Sequence, residues 1–386
     1  MNKKISLGLA LSLIAIASAV TFILTSFFSL QSFNKNVVDV NEKSKKYDAI
    51  QTLDSYVREH YNGTINETEL KNGILKGYVN GIGDEYSRYL SADEYIEEQK
   101  ADSGESVGLG FTLSADDSGY IRIADILDGS PADEAGIMPN DMIVQVEGAD
   151  VMETGFDEAV AALEGTEGSS ISMTIRHDGI DTAYTFTRST IDIVSVTSEM
   201  LDGYVGYIRI AAFKENTPEQ FITQLEKLTT NGAKSIVFDV RDNPGGLTES
   251  LQDCLDPLLP EGVVATAEYK DGTSKTIVYS DASELTLPMY VLVNENTASA
   301  GELFAASLRD FGKASIIGMT TYGKGVMQET TEFDDGSAVV LTVAEFRTSK
   351  SESFNGKGIV PDVMIANESE YYDAQYSKAV ELAKEQ

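Results

Sequence analysis

The chain has 386 residues, enough for two or three domains, and a formal net charge of -33, which excludes nucleic acid as a partner by repulsion. Cys254 is the only cysteine, so neither an intrachain disulfide nor a thiolate metal cluster can form. The only histidines, His60 and His177, lie far in sequence from Ser299, the serine weighed below as a nucleophile, which argues against a Ser-His-Asp triad.

In chain order, Ile5 to Leu30 form a run without charge, preceded by Lys3 and Lys4. Such a run is long enough to cross a bilayer as a helix. An uncleaved anchor over residues 1–33 is expected in preference to a signal peptide, because the apolar run continues past the small-residue site Ala17-Ser18-Ala19. Either way the bulk of the chain is exported.

Residues 34–100 read as helical: Tyr47, Ile50, Leu53, Tyr56 and Val57 recur at helical spacing, and Leu70, Ile74, Leu75 and Tyr78 form a second run before Gly81 and Gly83. From Gly108 the pattern changes to short strands (GLGFTL, YIRIADI, DMIVQVE, SMTIRH and AYTFT), interrupted by helical pieces at Pro131 to Ala135 and Phe156 to Leu163. A β-rich module over 101–188 results.

Over 189–370 strand and helix alternate. Thr217-Pro218-Glu219-Gln220 reads as a capping box opening a helix that ends at Asn231-Gly232. SIVFDV, MYVLVN and ASIIGM read as buried strands, and Asp271-Gly272 as a two-residue hairpin turn. A last helix is assigned to 371–386. The whole is a multidomain α/β chain, and in open α/β sheets sites form where strands end.

Two of those strands end in unusual loops. SIVFDV runs into Arg241-Asp242-Asn243-Pro244-Gly245-Gly246, whose paired glycines let backbone N–H groups approach a ligand, although a plain turn has the same composition. MYVLVN runs into NENTASAGE, where Ser299 with Glu302 three residues on is a capping box. Capping alone does not explain why Ala298, Ala300 and Gly301 strip the position of bulk. A helix start also favours developing negative charge. A serine nucleophile needs a base, and a desolvated lysine can serve. Lys324 stands between Gly323 and Gly325 directly after ASIIGM, with Gln328 four residues later.

Together these loops resemble the carboxyl-terminal processing (tail-specific) serine peptidases. In that family a serine lies in a segment like TASAGE, a lysine follows 25 residues later and a glutamine four after that; Ser299, Lys324 and Gln328 reproduce the spacing. RDNPGG is similar to the family's glycine-rich loop, and the stretch from Asn355 to Pro361-Asp362 to its late signature. Gly108-Leu109-Gly110-Phe111 and SPADEAGIMPNDMIVQVEG look like the PDZ domain inserted before the peptidase core. GYVNGIGDEYSRYL is similar to the segment ahead of it, though Glu85 stands where a proline is usual and Asn140, in the PDZ stretch, where a glycine is.

The resemblance covers roughly residues 45–365. It implies a crotonase/Clp-like serine peptidase core with a Ser299–Lys324 dyad oriented by Gln328. An oxyanion hole would come from the N–H of Ala300 and of Gly245 or Gly246. The PDZ loop Leu109, Gly110 and Phe111 would bind substrate C-termini and gate the site, and Arg188, at the domain junction, is the expected interdomain contact. No metal or cofactor is called for. The implied partners are protein substrates, a second copy through the N-terminal region, and a bacterial cell membrane spanned once by residues 5–30, with the soluble part outside. The alternative readings are a catalytically silent, anchored PDZ adaptor and a different enzyme on a similar scaffold, for instance one acting on acyl thioesters.

Overall fold

The computed structural model describes residues 45, 47–281, 284–367 and 371–385, with isolated positions 18, 21 and 24–26 before them. Most of the 5–30 run, and so the expected anchor, lies outside the described residues. Among the described residues no helix is long and apolar enough to cross a membrane. The chain forms two compact units, Met1–Ile74 and Leu75–Gln386. In the first, residues 47–60 are helical, and Arg58 bonds Asp54 and, with two nitrogens, Glu67.

The second unit does not open as a purely helical region. After the helix Glu67–Asn80, which begins in the first unit, the segment 81–87 leads into a strand, Arg88–Leu90, that pairs antiparallel with Ala338–Val340 of the distant strand Ala338–Thr348. Helical periodicity could not reveal this, because a three-residue strand is made by its partner. Ser91 then caps the helix Ala92–Ser103: Glu94 N–H donates to its hydroxyl, Ser91 N–H donates to the Glu94 carboxylate, and the cap sits at φ -63°.

The β-rich module has its sheet in the order Phe111–Ala115, Ile121–Ile126, Met142–Val146, Ser170–His177, Ile180–Thr187, with Ala149–Asp150 paired onto Met142–Val146. Ile121, Ile123, Ile143, Ile171, Met173, Ile175 and Phe186 fill its core. Phe111–Ala115 is an edge strand with one side unpaired. Asn140 has φ 76°, the left-handed conformation that favours glycine and that asparagine tolerates better than most residues. A two-stranded ribbon, Glu105–Gly108 against Ser189–Asp192, carries the chain into and out of this module.

The rest is two sheets around a buried helix. One sheet runs Val196–Leu201, Val205–Ile210, Ser235–Asp239, Met289–Val293, Ala314–Gly318, Val363–Met364, with every pairing after the first parallel. Ser235–Asp239 and Met289–Val293 are buried at every position, as continuous apolar runs in parallel sheets should be. The second sheet holds Arg88–Leu90, Ala338–Thr348, Gly262–Tyr269 and Ser274–Ser280 in order, with Val326–Glu332 paired to the other side of Ala338–Thr348. Asp271-Gly272 turns the Gly262–Tyr269/Ser274–Ser280 hairpin.

Between the sheets lies Ala300–Asp310, with only Arg309 outside the buried class. Asp310 fastens its far end by accepting from Thr348 Oγ1, Ser351 Oγ and the N–H groups of Lys350 and Ser351. The last helix, Ala374–Lys384, covers the first sheet, its carbonyls accepting from Ser235 Oγ and Tyr290 OH.

The capping box read at Thr217 is not formed. Asn216 occupies the cap position without a side-chain cap bond. Thr217 Oγ1 accepts from Lys214 N–H, and the Gln220 amide oxygen accepts from Ser195 and Val196 N–H. The side chains that would close the box hold the exit from the PDZ module instead.

The strand Ser235–Asp239 ends on a buried charge. Asp239 is fully buried and accepts from Arg241 Nη2 at 2.6 Å and Tyr207 OH at 2.6 Å, while Arg241 Nη1 reaches Asp373 ahead of the last helix. Arg241→Ala should therefore lower the core's unfolding free energy by about 3 kcal/mol, the low end for breaking a buried ion pair, because Asp239 loses its closest cation and keeps only Tyr207 OH, a backbone N–H and Arg209 at 3.6 Å. Arg176→Ala, at the exposed pair with Asp181, should cost less than about 1 kcal/mol. Urea unfolding of the two variants beside wild type measures the difference.

Candidate active site

Two Ser-x-x-Glu motifs in this chain look alike in sequence and differ in structure. Ser91-x-x-Glu94 is the ordinary cap described above. Ser299 is buried and sits at φ 52°, ψ -116°, a conformation a β-carbon disfavours and no ordinary N-cap requires. Such a backbone is what a sharp strand-to-helix elbow needs to present its side chain.

Glu302 is the residue that sequence reasoning undervalued. Its carboxylate is fully buried and accepts four hydrogen bonds: Ser299 N–H at 2.9 Å, Thr321 Oγ1 at 2.5 Å, Gly323 N–H at 2.7 Å and Lys324 N–H at 2.8 Å. Burial pushes its pKa up and the four donors oppose that shift. All four partners donate, so the group they hold is the carboxylate. One side chain thus ties the serine segment to the lysine segment, at backbone atoms of both Ser299 and Lys324. The Ser-x-x-Glu spacing was the available signal, and it pointed only to a cap.

The lysine loop is held from a second side by the late signature. Gly325 N–H donates to Asn355 Oδ1, Gly356 N–H to Gly323 O, and Ile359 N–H to Thr321 Oγ1. A β-carbon at Gly323 would stand 2.9 Å from Gly358 N, and one at Gly325 2.6 Å from Asn355 N. The glycines flanking Lys324 are there because another backbone lies against them.

Lys324 itself is partly buried, its ammonium 4.8 Å from the centre of the Tyr86 ring. Desolvation lowers its pKa below the usual lysine value, Arg88 pushes the same way, and Asp84 and Glu85 push back. The segment with glutamate in place of the usual proline is therefore in the lysine's surroundings. A cleft of about 440 Å³ opens here, lined by Asp84, Glu85, Tyr86, Gly323, Val326 and Asn355 among others. A second groove of about 460 Å³ is also lined by Val326, with Tyr269, Thr342 and Glu345. Gln328 is half-buried on the strand Val326–Glu332 and donates to Thr342 Oγ1 at 3.2 Å and Val326 O at 3.4 Å. Its hydrogen bonds go to these groups and not to Lys324.

The RDNPGG loop folds against the serine. A β-carbon at Gly245 would lie 2.8 Å from Ser299 Cβ and 3.0 Å from Ala300 N. Asn243, fully buried, braces the loop: its Nδ2 donates to Ile210 O, its Oδ1 accepts from Gly245 N–H at 2.8 Å, and its carbonyl accepts from Ala298 N–H. Gly245 N–H is thereby engaged within the loop. The N–H groups of Gly246 and Ala300 have no hydrogen-bond acceptor among the described residues.

Leu109, Gly110 and Phe111 lie at the start of the unpaired edge of the PDZ sheet, with Gly110 at φ 84° and the carbonyls of Leu109 and Gly110 accepting from Ala132 and Leu127 N–H. Arg188 does not make the expected interdomain contact. It is buried, and its guanidinium donates to Leu163 O, Ser169 Oγ, Ser170 O and Ala162 O, all inside the PDZ module. A buried arginine needs several acceptors, and the loop 162–170 supplies them.

Residues 204–365 match peptidase family S41, and residues 99–176 match the PDZ domain family. The carboxy-terminal processing protease CtpA of Bacillus subtilis is 32% identical over 353 residues, covering 91% of this chain and 76% of that one. The chain belongs to peptidase family S41. The carboxyl-terminal-processing protease of Synechocystis sp. is 31% identical over 78% of this chain and 74% of its own. Among solved structures, the tricorn protease shares the fold with a TM-score of 0.50 at 19% identity, covering 73% of this chain and 29% of that one. This S41 chain is accordingly a serine-type carboxyl-terminal processing peptidase with a PDZ domain.

Glu302→Gln should lower kcat roughly 10- to 100-fold, the equivalent of one charge-assisted hydrogen bond of about 1.5–3 kcal/mol, because the amide turns an N–H towards donors. Glu94→Gln, in the matching exposed cap, should leave kcat unchanged. Steady-state cleavage of one tailed peptide by both variants separates the two motifs.

Proposed function

We propose that this S41 peptidase is tethered to a bacterial membrane by residues 5–30, faces outward, and cleaves exported proteins near their C-termini with a Ser299–Lys324 dyad. The observation that carries the dyad is the shared hold of Glu302 on Ser299 N–H and Lys324 N–H, which fixes the nucleophile's backbone relative to that of a partly desolvated lysine. Neutral Lys324 takes the Ser299 Oγ proton as the oxygen attacks the scissile carbonyl, and returns a proton to the leaving amine. The oxyanion is met by the N–H of Ala300, at the start of a helix whose dipole favours negative charge, and of Gly246. With Gly245 N–H given to Asn243, Gly246 is the better of the two glycines. Gln328, bonded to Thr342 Oγ1 and Val326 O, is the residue that would orient the amine.

The clefts lined by Val326 give an extended substrate a path past the lysine. The unpaired edge Phe111–Ala115 accepts the substrate's tail as an added strand, with the Leu109–Phe111 loop meeting its carboxylate. Binding there gates the active site. The exposed Tyr47, Leu53 and Tyr56 of the N-terminal helix fit pairing with a second copy.

Ser299→Ala and Lys324→Ala should each abolish cleavage of an unstructured substrate while leaving tail binding intact; an adaptor would lose nothing, and turnover of an acyl thioester in place of peptide would favour the other enzyme class. Because the lysine works neutral, kcat/KM should rise with pH through its lowered pKa. Glu85→Gln removes a charge that raises that pKa, so the rising limb should move to lower pH; Arg88→Gln should move it to higher pH. Both shifts should shrink as salt is added, since Glu85 and Arg88 are exposed. Profiles at two ionic strengths test the signs.

A further inference from the structure

Among the described residues only two buried side-chain polar atoms lack a hydrogen-bond partner, and one is Asn216 Oδ1. An orphan of this kind calls for an explanation in a native structure. The same side chain's Nδ2 is crowded with acceptors: Gly104 O at 2.7 Å, Asp192 Oδ1 at 3.3 Å and Ile193 O at 3.4 Å. Gly104 is where the chain enters the PDZ ribbon, and Asp192 and Ile193 are where it leaves. A β-carbon on Gly104 would stand 2.1 Å from the orphaned oxygen. Asn216 therefore clamps both arms of the hinge at once, with one polar atom left unsatisfied in this arrangement.

Its neighbours add to the clamp. Glu215 N–H donates to Asp102 O, and Lys214 Nζ reaches Asp102 Oδ1 at 3.4 Å. Three residues before Asn216 the chain touches the oxyanion loop: Phe213 N–H donates to Gly245 O at 2.9 Å, and Leu247 N–H donates to Phe213 O at 2.8 Å. These bonds place Phe213 beside Gly246 as a parallel bridge so close that a β-carbon on Gly246 would lie 2.0 Å from Phe213 O. Phe213 is fully buried, so this end cannot slip without repacking the core. The span from Phe213 to Asn216 is at most about 10 Å of chain.

We infer that residues 213–216 are a connector through which the PDZ hinge positions the oxyanion loop, with Asn216 as the positioning residue that senses the hinge and Phe213 as the contact that sets Gly246. The inference rests on the gating reading above and names the residues that carry it. When a bound tail turns the PDZ module, the two hinge arms part at Asn216, its oxygen gains a partner, and the displacement passes along three rigidly held residues to the N–H of Gly246.

The test uses the full chain and follows the rate at which a serine-directed phosphonate labels Ser299, with and without a free peptide ending in an apolar residue. In wild type the peptide should accelerate labelling. In Asn216→Ala that acceleration should fall at least about fivefold, the lower end of ordinary allosteric coupling, while peptide affinity, read by fluorescence anisotropy, stays unchanged. Lys214→Asp and Asp102→Lys should each weaken the response and the double swap should restore part of it, which a general loss of stability would not do. If peptide accelerates labelling of the Asn216→Ala and Lys214→Asp variants as fully as wild type, the connector is wrong and gating stands. If wild type is labelled and cleaves substrate with no response to the peptide, gating itself is wrong and the connector falls with it.

Discussion

A carboxylate with no exposure to water holds the active site of this peptidase together. Burying a charge is costly unless it is fully hydrogen-bonded, and Glu302 meets that condition only because two segments, 299 and 321–324, both bring donors to it. The cost of failing the condition is what makes the arrangement specific. If the lysine loop moved off, the buried ion would lose three of its four partners, and if the serine backbone did, it would lose the fourth. Other features of the site follow from this one. Thr321 must be buried beside the carboxylate, Gly323 must have no side chain so that its N–H can turn inward, and the stretch 355–359 must lie flat against the lysine loop to keep it there.

The same logic recurs at the other ends of these elements. Asp310 accepts four hydrogen bonds at the C-terminal end of the serine's helix, where its charge opposes the helix dipole and only the donors make it tolerable. Asp239 ends the neighbouring strand against Arg241 and Tyr207. Asn243 does with neutral groups what the acids do with charge. The parallel strands supply a rigid, dry frame, and buried polar groups at their ends fix the loops that carry the chemistry.

Much of this was legible in the sequence, for reasons that differ by element. The buried strands Ser235–Asp239 and Met289–Val293 were readable because parallel strands covered on both faces leave continuous apolar runs, and the hairpin at Asp271-Gly272 because its turn chemistry is local. Ser299 was identified by spacing and by its small neighbours, while its strained backbone was invisible; Ser91 shows that the same motif in a free helix end is only a cap. What sequence missed is non-local. The strand at Arg88 exists because Ala338–Val340 pairs with it, the box at Thr217 is undone because Gln220 is needed by Ser195 and Val196, and Arg188 turns inward because the loop 162–170 offers it four acceptors. Each depends on a partner some twenty or more residues away, which no window on the sequence includes.

The proposed base is where charge balance reaches the chemistry. In a chain this acidic, a lysine is stabilised as an ammonium almost anywhere on the surface, and an ammonium is useless for deprotonating a serine. Burial moves Lys324 away from that state, with the help of Arg88 and against Asp84 and Glu85. The Tyr86 face also favours the charged form, since a ring quadrupole attracts a cation. The segment 84–88 thus both shields the lysine from water and carries most of the charges that tune it. Glutamate at 85 adds a negative charge to the side that keeps the lysine protonated. Lys324 over Tyr86 thus stands between burial, which favours the neutral amine that the proposed dyad needs, and contacts that favour the ammonium. Under that proposal, a substrate filling the adjoining cleft would desolvate the amine further, so that the proton would be taken only when there is a carbonyl for the serine to attack.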